Sequence, residues 1–579
     1  MVDTTSYGLN PGVESNAFTQ NIINGSEQPQ QKKEEADRIM GRWDQMDSAA
    51  INWKLHWQRC YQYIVPRKED VIAVRMPGDD RESDIYDTTA VLANEQLGSA
   101  LHSMLTNPET RFFELLFGDP ALDENSAVKE WCQETGDRMY QVLNSSNFQT
   151  EIYEMYIDLT AAGTGHLYME EDDEYIVRFS ARALKEVRID ENAMGLVDVT
   201  YRVFKLRPFQ ILQMFPELKE LPNDIQMAAD KNAADQIEII HAVEPIEDVR
   251  DQSHAGKTKA KGHKFSSTYM LKDKRFILSQ SSYEEFPYCS PRWSKTTGEL
   301  YGRGPGMQML PDIQMLNAMM LTVIQGAQKT VDPPLMVEDD SVIGQVRLTP
   351  GGLTTVRPGS EPLRPLITNA QVEFGEKMLD SIRGRIRAGF YVDQLQLPKE
   401  SPQRTAEEVR QIAEEQMRLM GPILGRQHFE LLRPLITRLF GIMWRKGKVD
   451  APPQILKGKK MEVKYSSLIA RAQKMQEAQN MVRAFQTIQP MVQIFPEVRD
   501  VLRIEDATRS IWDLYGNPAK LLYDEEEVER KRKIQQQQAL KLQEQQEELH
   551  KSEVAKNNAP MVSAVGQLAQ AQQPQSQGQ

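Results

Sequence analysis

The chain has 579 residues, with 69 Lys and Arg against 83 Asp and Glu, a net charge of −14, 40% hydrophobic and 26% charged residues. That is apolar content for a sizeable core and, at roughly 150 residues per domain, length for about four modules. The acidic balance argues against a protein that holds nucleic acid by counterion release, and no run reaches the roughly 18 uncharged apolar residues of a membrane span.

The first 30 residues are polar and are expected to be disordered. Their opening, "MVDTTSYGLNPGVESN", lacks the basic and apolar regions of a signal peptide, so cytosolic synthesis is expected. Cys60, Cys132 and Cys289 are odd in number and far apart, which predicts buried free thiols rather than disulfides or a CxxC metal site.

From Gln31 a helix is expected to run to Pro66. Ile39, Trp43, Met46, Ala50, Trp53 and Trp57 recur at spacings of three and four. The next helix starts at a cap on Asp87 or Thr88 and buries Ala93, Leu97, Ala100 or Leu101, and Met104 or Leu105, before Asn107-Pro108 stops it. A third helical stretch closes at Gly163 and Gly165. The period then changes. Residues 164–290 read as short strands broken by acidic turns, with one small helix near "RPFQILQMFPE". A loop holding Lys257, Lys259, Lys261 and Lys264 interrupts them and is expected to be a solvated tip.

The stretch "YGRGPGM", 301–307, precedes a helix expected over 307–329, with Ile313, Leu316, Met320, Ile324 and Ala327 on one face. Residues 331–366 are rich in Pro and Gly and read as short strands and turns. A helix over 371–390 follows, with Leu379, Ile382, Ile386 and Phe390 on one face. The polar loop "VDQLQLPKESPQR" then leads to a T-x-x-E capping box at Thr405–Glu408. The helix it opens runs about 40 residues, or roughly 60 Å, to Gly447. Gly421-Pro422 and Pro434 are expected to kink it. More helices follow, then a charged, Gln-rich segment without a sustained heptad, and a tail expected to be disordered from about Ala555.

Chemistry is not readable in this pattern. "GRGPGM" places Met307 where a dinucleotide fingerprint needs its third glycine, and no buried strand precedes it. GxxxxGK[ST] is absent, which removes the phosphate cradle and lysine of phosphoryl transfer. The eight histidines form no HExxH or H-x-H, and no G-x-S-x-G elbow occurs. No cofactor or metal is expected. What the sequence displays is an α+β, predominantly helical architecture.

The stretches at 87–115, 284–317 ("EEFPYCSPRWSKTTGELYGRGPGMQMLPDIQMLN"), 332–340 ("DPPLMVEDD") and 404–447 carry a resemblance in their order and spacing. Over roughly residues 35–530 the chain resembles the head-to-tail connecting (portal) proteins of short-tailed, podovirus-type bacteriophages. The resemblance implies a ring, typically of about twelve copies, at one capsid vertex. Double-stranded DNA is packaged through it by a separate terminase, retained, and later ejected. The implied partners are the other copies, the DNA, the major capsid protein, scaffold protein, the terminase large subunit, and tail adaptor and nozzle proteins, with no membrane. The alternative is a Mg²⁺-dependent nuclease of the packaging machinery or another virion structural component.

On that resemblance the wing spans 31–300, helical over 31–163 and strand-rich over 164–290. The first stem helix is 301–330, the clip 331–366, the second stem helix 367–390 and the tunnel loop 391–404. The long wing helix is 405–450, the crown 451–530 and the tail 531–579. Gln394, Gln396, Lys399 and Arg404 would line the channel, with Lys399 and Arg404 touching DNA transiently or pairing with Glu400 or Glu407. Arg303, Arg383 and Arg387 would lie at the subunit interface. Arg347, Arg357 and Arg364 would contact the tail adaptor or a neighbouring clip. A net-acidic channel would repel the duplex and act as a low-friction sleeve. The glycines of "YGRGPG" would supply permissive backbone angles, and Pro305 would stiffen the turn into the first stem helix.

Overall fold

The computed structural model describes residues 30–123, 125–218, 222–231, 233–247, 263–336, 355, 357–358, 364–365, 372–395, 420–456, 462–465, 468–494, 503–515, 521–523 and 525–570. The chain divides into two compact units. The first comprises residues 1–117, 134–452 and 457–473, and the second 118–133, 453–456 and 474–579.

The first unit begins with α1 (Gln30–Ala49) and α2 (Ile51–Ile64), where one continuous helix was expected. Neither Gly nor Pro breaks it. The turn at Ala50 lets α1 pack on a sheet while α2 packs on helices. Next come α3 (Thr89–Leu105) and β1 (Phe113–Leu116); α4 (Pro120–Asp123) and the first part of α5 (Ser126–Ser145) belong to the second unit, and the rest of α5 and α6 (Phe148–Ala162) to the first. The last seven residues of α6, Tyr156 to Ala162, are all buried, so this helix is the axis of the helical layer. Its Asp158 is held there by the Tyr61 hydroxyl at 3.1 Å and Lys68 Nζ at 2.9 Å.

The stretch read as strands does form strands, and these pair in antiparallel sheets. One has the order β3 (Ile176–Ala181), β2 (Leu167–Asp172), β9 (Tyr288–Cys289). The other runs in sequence order through β4 (Val187–Glu191), β5 (Val197–Leu206), β6 (Ile237–Pro245), β7 (Phe265–Leu271) and β8 (Phe276–Tyr283). The period of two sorts its side chains. Val199, Tyr201, Ile240, Ala242 and Met270 pack under Ala36, Ile39 and Trp43 of α1. Phe204, Ile239, Tyr269 and Leu271 face the opposite way. They are covered by α7 (Pro208–Met214), which the sequence indicated, and α8 (Asn223–Asp230), which it did not. The lysine-rich loop lies outside the described residues, apart from His263 and Lys264.

Two helices leave this body: α9 (Pro305–Val331) and α10 (Val372–Gly389). Between them the described residues form a two-residue ladder, β10 (Leu335–Met336) with β11 (Arg364–Pro365). A short turn, α11 (Val392–Leu395), follows α10. Of the long helix expected from Thr405, residues 405–419, with the capping box, lie outside the described residues, and description begins at Met420. Helical residues 420–427 pass through a π turn at His428–Leu432 into α12 (Arg433–Arg445). The kink expected at Pro434 takes this form. Proline cannot donate to the carbonyl one turn back and crowds it, and the wider π turn directly before it relieves that contact. Finally β12 (Glu462–Tyr465) pairs antiparallel with β1.

In the second unit, the apolar face of α14 (Ile504–Leu514) and Phe485 of α13 (Leu468–Ile494) line a pocket of about 410 Å³ with Trp512 and Tyr515. Helix α15 (Glu525–Gln570) corrects the expected disorder from Ala555. Ala, Gln, Glu, Lys and Leu, all strong helix formers, fill most of it and outweigh Pro560 and Gly566.

Candidate functional site

The helix pair α9 and α10, and the joint from which it emerges, hold Arg303, Arg383 and Arg387, three of the six described residues expected to function. The joint is built of glycine. Gly163 ends α6 at φ +78°, the left-handed conformation that glycine adopts without strain. A Cβ on Gly302 would lie 2.3 Å from the Gly163 carbonyl oxygen, and one on Gly304 would lie 2.8 Å from the Thr160 carbonyl oxygen. A Cβ on Gly306 would lie 2.4 Å from the Ala161 carbonyl oxygen. The expected role of permissive angles is therefore corrected. Gly302, Gly304 and Gly306 keep negative or extended φ, with Gly304 at −95°, and are needed because their backbone lies directly on the end of α6. Gly302 N–H donates to Thr164 Oγ1 (2.9 Å), Trp293 N–H to the Gly163 carbonyl (2.9 Å) and Arg303 N–H to the Ser294 carbonyl (2.8 Å). Pro305 then opens α9, where its missing N–H costs nothing. Tyr301 is buried beside it, edge-on to Trp57 at 4.8 Å, and burial pushes its hydroxyl up to about 12.

Helices α9 and α10 run antiparallel. A Cβ on Gly389 would strike Met309 Sδ, one on Gly375 would lie 3.0 Å from Val323 Cγ2, and Arg385 pairs with Asp312 at 3.4 Å. As the residue number rises on one helix it falls on the other, over about 14 residues, or about 21 Å of helix. Leu379, Ile382, Ile386 and Phe390 are buried on the face read from the sequence. Each contributes about 1.5–3 kcal/mol relative to exposure. The far half of α9 differs: from Ala318 onward none of its residues is buried. At the body end, Tyr391 takes φ +59°, and its ring lies 6.2 Å from that of Trp293. Both ends of the hairpin therefore meet the segment 291–303.

Two of the three arginines expected at an interface, Arg303 and Arg383, have partners of their own chain. Arg303 donates to Glu299 (Nε to Oε2, 2.8 Å) and lies over the Trp53 ring at 5.2 Å. Arg383 donates to Asp87 (2.8 Å) and Asp380 (2.8 Å). Asp87, one residue before the Thr88 N-cap position of α3, also accepts the N–H of Thr89, the first residue of that helix, at 2.9 Å. Burial acts to raise the Asp87 carboxyl, but the Thr89 and Arg383 hydrogen bonds outweigh it and hold it below the usual carboxylate range. Arg387, one turn beyond Arg383, is exposed and has no ion pair among the described residues. Gln394 sits in α11, while Gln396, Lys399 and Arg404 lie outside the described residues. Arg347 is outside them too. Arg357 is exposed, and Arg364 stands opposite Met336 in the β10–β11 ladder.

Sequence reading missed Arg292, the most densely bonded side chain of the joint. It is 1% exposed. Its guanidinium donates to Glu430 (3.0 and 3.2 Å), Glu191 (2.7 Å) and the carbonyls of Gly195 (2.8 Å) and Leu300 (3.1 Å). Its N–H also reaches Glu430 at 2.9 Å, and its carbonyl accepts from Gln427 at 2.9 Å. Burial acts to lower the Arg292 pKa, but the two carboxylates raise it above its ordinary value. Burial likewise acts to raise Glu191, yet hydrogen bonds from Lys295 and Arg292 hold it low. Nothing local in "SPRWS" marks this arginine. Its partners lie about 100 and 138 residues away in sequence.

Helix α12 is fastened separately. Arg438 Nε donates to the Met169 carbonyl (3.1 Å) and Arg445 pairs with Glu171 (3.0 Å), Glu284 (3.2 Å) and Glu285 (3.0 Å). Among the described residues, no group of three or more His, Cys, Asp and Glu is placed to hold a metal ion. Nor is any described helix long and apolar enough to cross a membrane. The three cysteines are buried, as expected, and burial raises each thiol to about 12.

A family model described as "Bacteriophage head to tail connecting protein" matches residues 36–522. The chain is 29% identical over 513 residues to the probable portal protein of Bordetella phage BPP-1, covering 86% of this chain and 91% of that one. It is 26% identical over 505 residues to the portal protein of Salmonella phage epsilon15, covering 86% and 90%. The family match spans most of the sequence, and the chain belongs to the bacteriophage head to tail connecting protein family.

Proposed function

We propose that the chain is a structural portal subunit. About twelve copies close into a ring through a heterologous interface, one patch meeting a different patch on the next copy. The ring sits at one vertex of the virion capsid, after synthesis in the bacterial cytoplasm. Double-stranded DNA enters, is retained and leaves through its channel. The terminase large subunit docks during packaging, and tail adaptor and nozzle proteins dock later. The capsid and scaffold proteins surround it. The protein itself performs no catalysis.

The observation that carries this reading is the antiparallel α9–α10 hairpin. It is rooted at the glycine joint and carries a small β ladder between its far ends, within a chain matched to the family over most of its length. Such a hairpin is a stem with a projecting clip. The far half of α9 leaves apolar residues partly exposed in the single chain, as a helix does when neighbouring copies complete its packing. The loop after α10, with Gln394, Gln396, Lys399 and Arg404, is the channel lining. The net charge of −14 fits a sleeve that does not grip phosphates. Arg387 is the interface arginine, and Arg347, Arg357 and Arg364 belong to the clip surface that meets an adaptor or a neighbouring clip.

Electron microscopy of the purified protein, produced with its scaffold and capsid proteins, tests the proposal. Closed rings with a central hole of duplex width are expected. A protein that stays monomeric with those partners present would overturn it.

A further inference from the structure

Two patches of the first unit leave large apolar side chains exposed, and they differ in kind. One is on the long helix. Phe429, Arg433, Phe440 and Trp444 recur at spacings of four and seven along one side of the π turn and α12, away from the buried Leu435, Leu439 and Ile442. Phe429 is 49% and Trp444 46% exposed. Arg433 lies over the Phe429 ring at 5.8 Å, and Phe440 stacks on Trp444 at 6.2 Å. The far side of α12 is pinned by Arg438 and Arg445 to β2 and to residues 284–285, so the strip is rigid. Trp, Phe and Arg on a rigid element are the composition of an interface centre. Arg433 and Lys448, which follows the helix, are exposed and have no ion pair among the described residues.

The other patch is on residues 69–88, between the turn Pro66–Lys68 and α3. This connection is longer than the roughly 12–15 residues beyond which a loop usually has a task. It is fastened at both ends. Gln58 of α2 donates to the Glu69 carbonyl (3.0 Å) and accepts the Ile72 N–H (2.8 Å). Asn317 of α9 accepts the Tyr86 N–H (2.7 Å) and donates to the Asp84 carbonyl (2.8 Å). Between these ties Ile72, Val74 and Met76 are exposed, Val74 at 97%. Asp80, Glu82 and Asp84 are exposed and have no ion pair among the described residues. The nearby cations are engaged: Arg75 pairs with Glu69 (3.2 Å), and Arg81 donates to the Arg67 carbonyl (2.6 Å).

One patch is therefore aromatic and basic, the other aliphatic and acidic, and they are fastened to different elements. A ring closes by joining one patch to a different patch on the next copy, and opposite charges set its register. We propose that the 69–88 arm of one copy docks on the Phe429–Trp444 strip of the next. Val74 and Met76 cover the rings, while Asp80 and Glu82 meet Arg433 and Lys448. This rests on the portal reading and goes beyond it by naming both faces of a contact separate from the α9–α10 hairpin. Because the end of the arm is bonded to Asn317 and Arg383, a docked arm also ties the stem of its own copy to the neighbouring body.

Charge exchange tests the pairing in full-length protein produced with its scaffold and capsid proteins. One variant carries Arg433→Glu and Lys448→Glu, the other Asp80→Lys and Glu82→Lys. Each alone opposes like charges at every contact, and its ring yield should fall about tenfold or more. Made together, each variant supplies the face that the other lacks. Closed rings should then return, with the two variants in equal amounts, which also shows that both chains fold. Normal ring yield from either variant alone would overturn the proposal while leaving the portal reading intact. A mixture that assembles no better than its components would overturn it too. Wild-type protein that stays monomeric under the same conditions would overturn the portal reading and this contact with it.

Discussion

Gly163 and Gly302 meet backbone to backbone, each at the place where the other would carry a side chain. A Cβ on Gly302 would lie 2.3 Å from the Gly163 carbonyl oxygen, and one on Gly163 would lie 2.4 Å from the Gly302 carbonyl oxygen. No rotamer change relieves a clash with backbone. Gly302→Ala should therefore destabilise the protein by more than about 2 kcal/mol. Gly163→Ala should cost at least as much, because φ +78° adds its own strain. Gly41→Ala is the control: it lies in α1 with nothing within 4 Å and should be neutral or stabilising by about 0.5–1 kcal/mol. Chemical denaturation of the three variants checks the ranking.

The Arg292 network predicts a large loss from a small change. Arg292 is 1% exposed and the Glu430 side chain 9%. Removing one partner strands the other charge in a desolvated site, and Arg292→Ala should cost about 3–5 kcal/mol. Thermal unfolding measures it. A loss under about 1 kcal/mol would mean that water reaches the site.

Asp87 gives a pH dependence with a definite sign. Its folded pKa lies below the ordinary value of 3.8, so the stability it contributes is fully present above that value. It is lost as pH falls through the lower, folded value. Asp87→Asn should therefore be less stable than wild type at pH 7, and the gap should narrow below about pH 4. A gap that persists unchanged at pH 2 would assign the effect to shape rather than charge.

Arg383 and Arg387 share one helix and should separate in experiment. Arg383→Glu breaks the pair with Asp87 and should lower the stability of the single chain. Arg387 is exposed, so Arg387→Glu should leave chain stability within about 0.5 kcal/mol and instead reduce ring yield. Denaturation and sizing of the two variants distinguish the roles. Normal rings from Arg387→Glu would remove that residue from the interface.

Lys399 and Arg404 are proposed to meet the passing duplex. Reversing both charges should change DNA packaging or retention while rings still form. Normal packaging and retention by the double variant would remove the assignment.

Much of this architecture was legible in the sequence because it is local. The face of α10, the first part of the α9 face at Ile313 and Leu316, the strand alternation under α1 and the stop at Gly163 all follow from spacing and residue type, whereas Met320, Ile324 and Ala327 of the expected α9 face are not buried in the single chain. The rejection of "YGRGPGM" as a phosphate loop rested on Met307 and on the missing strand, again local features. What escaped is set at long range. The turn at Ala50 carries no breaker, because the sheet and the helices to either side impose it. The three glycines are needed for closeness to α6, a neighbour about 140 residues earlier in sequence. Arg292 looks like any arginine in a polar loop until Glu191 and Glu430 converge on it. Pro434 announced a kink, but nothing local announced that it takes the form of a π turn at His428–Leu432.

The most direct test of the central claim is electron microscopy of the full-length protein produced with its scaffold and capsid proteins. The account predicts closed rings of about twelve copies around a hole of duplex width, with α9 and α10 of neighbouring copies packed side by side. Monomers, or open assemblies in which the α9–α10 hairpins touch nothing, would contradict it.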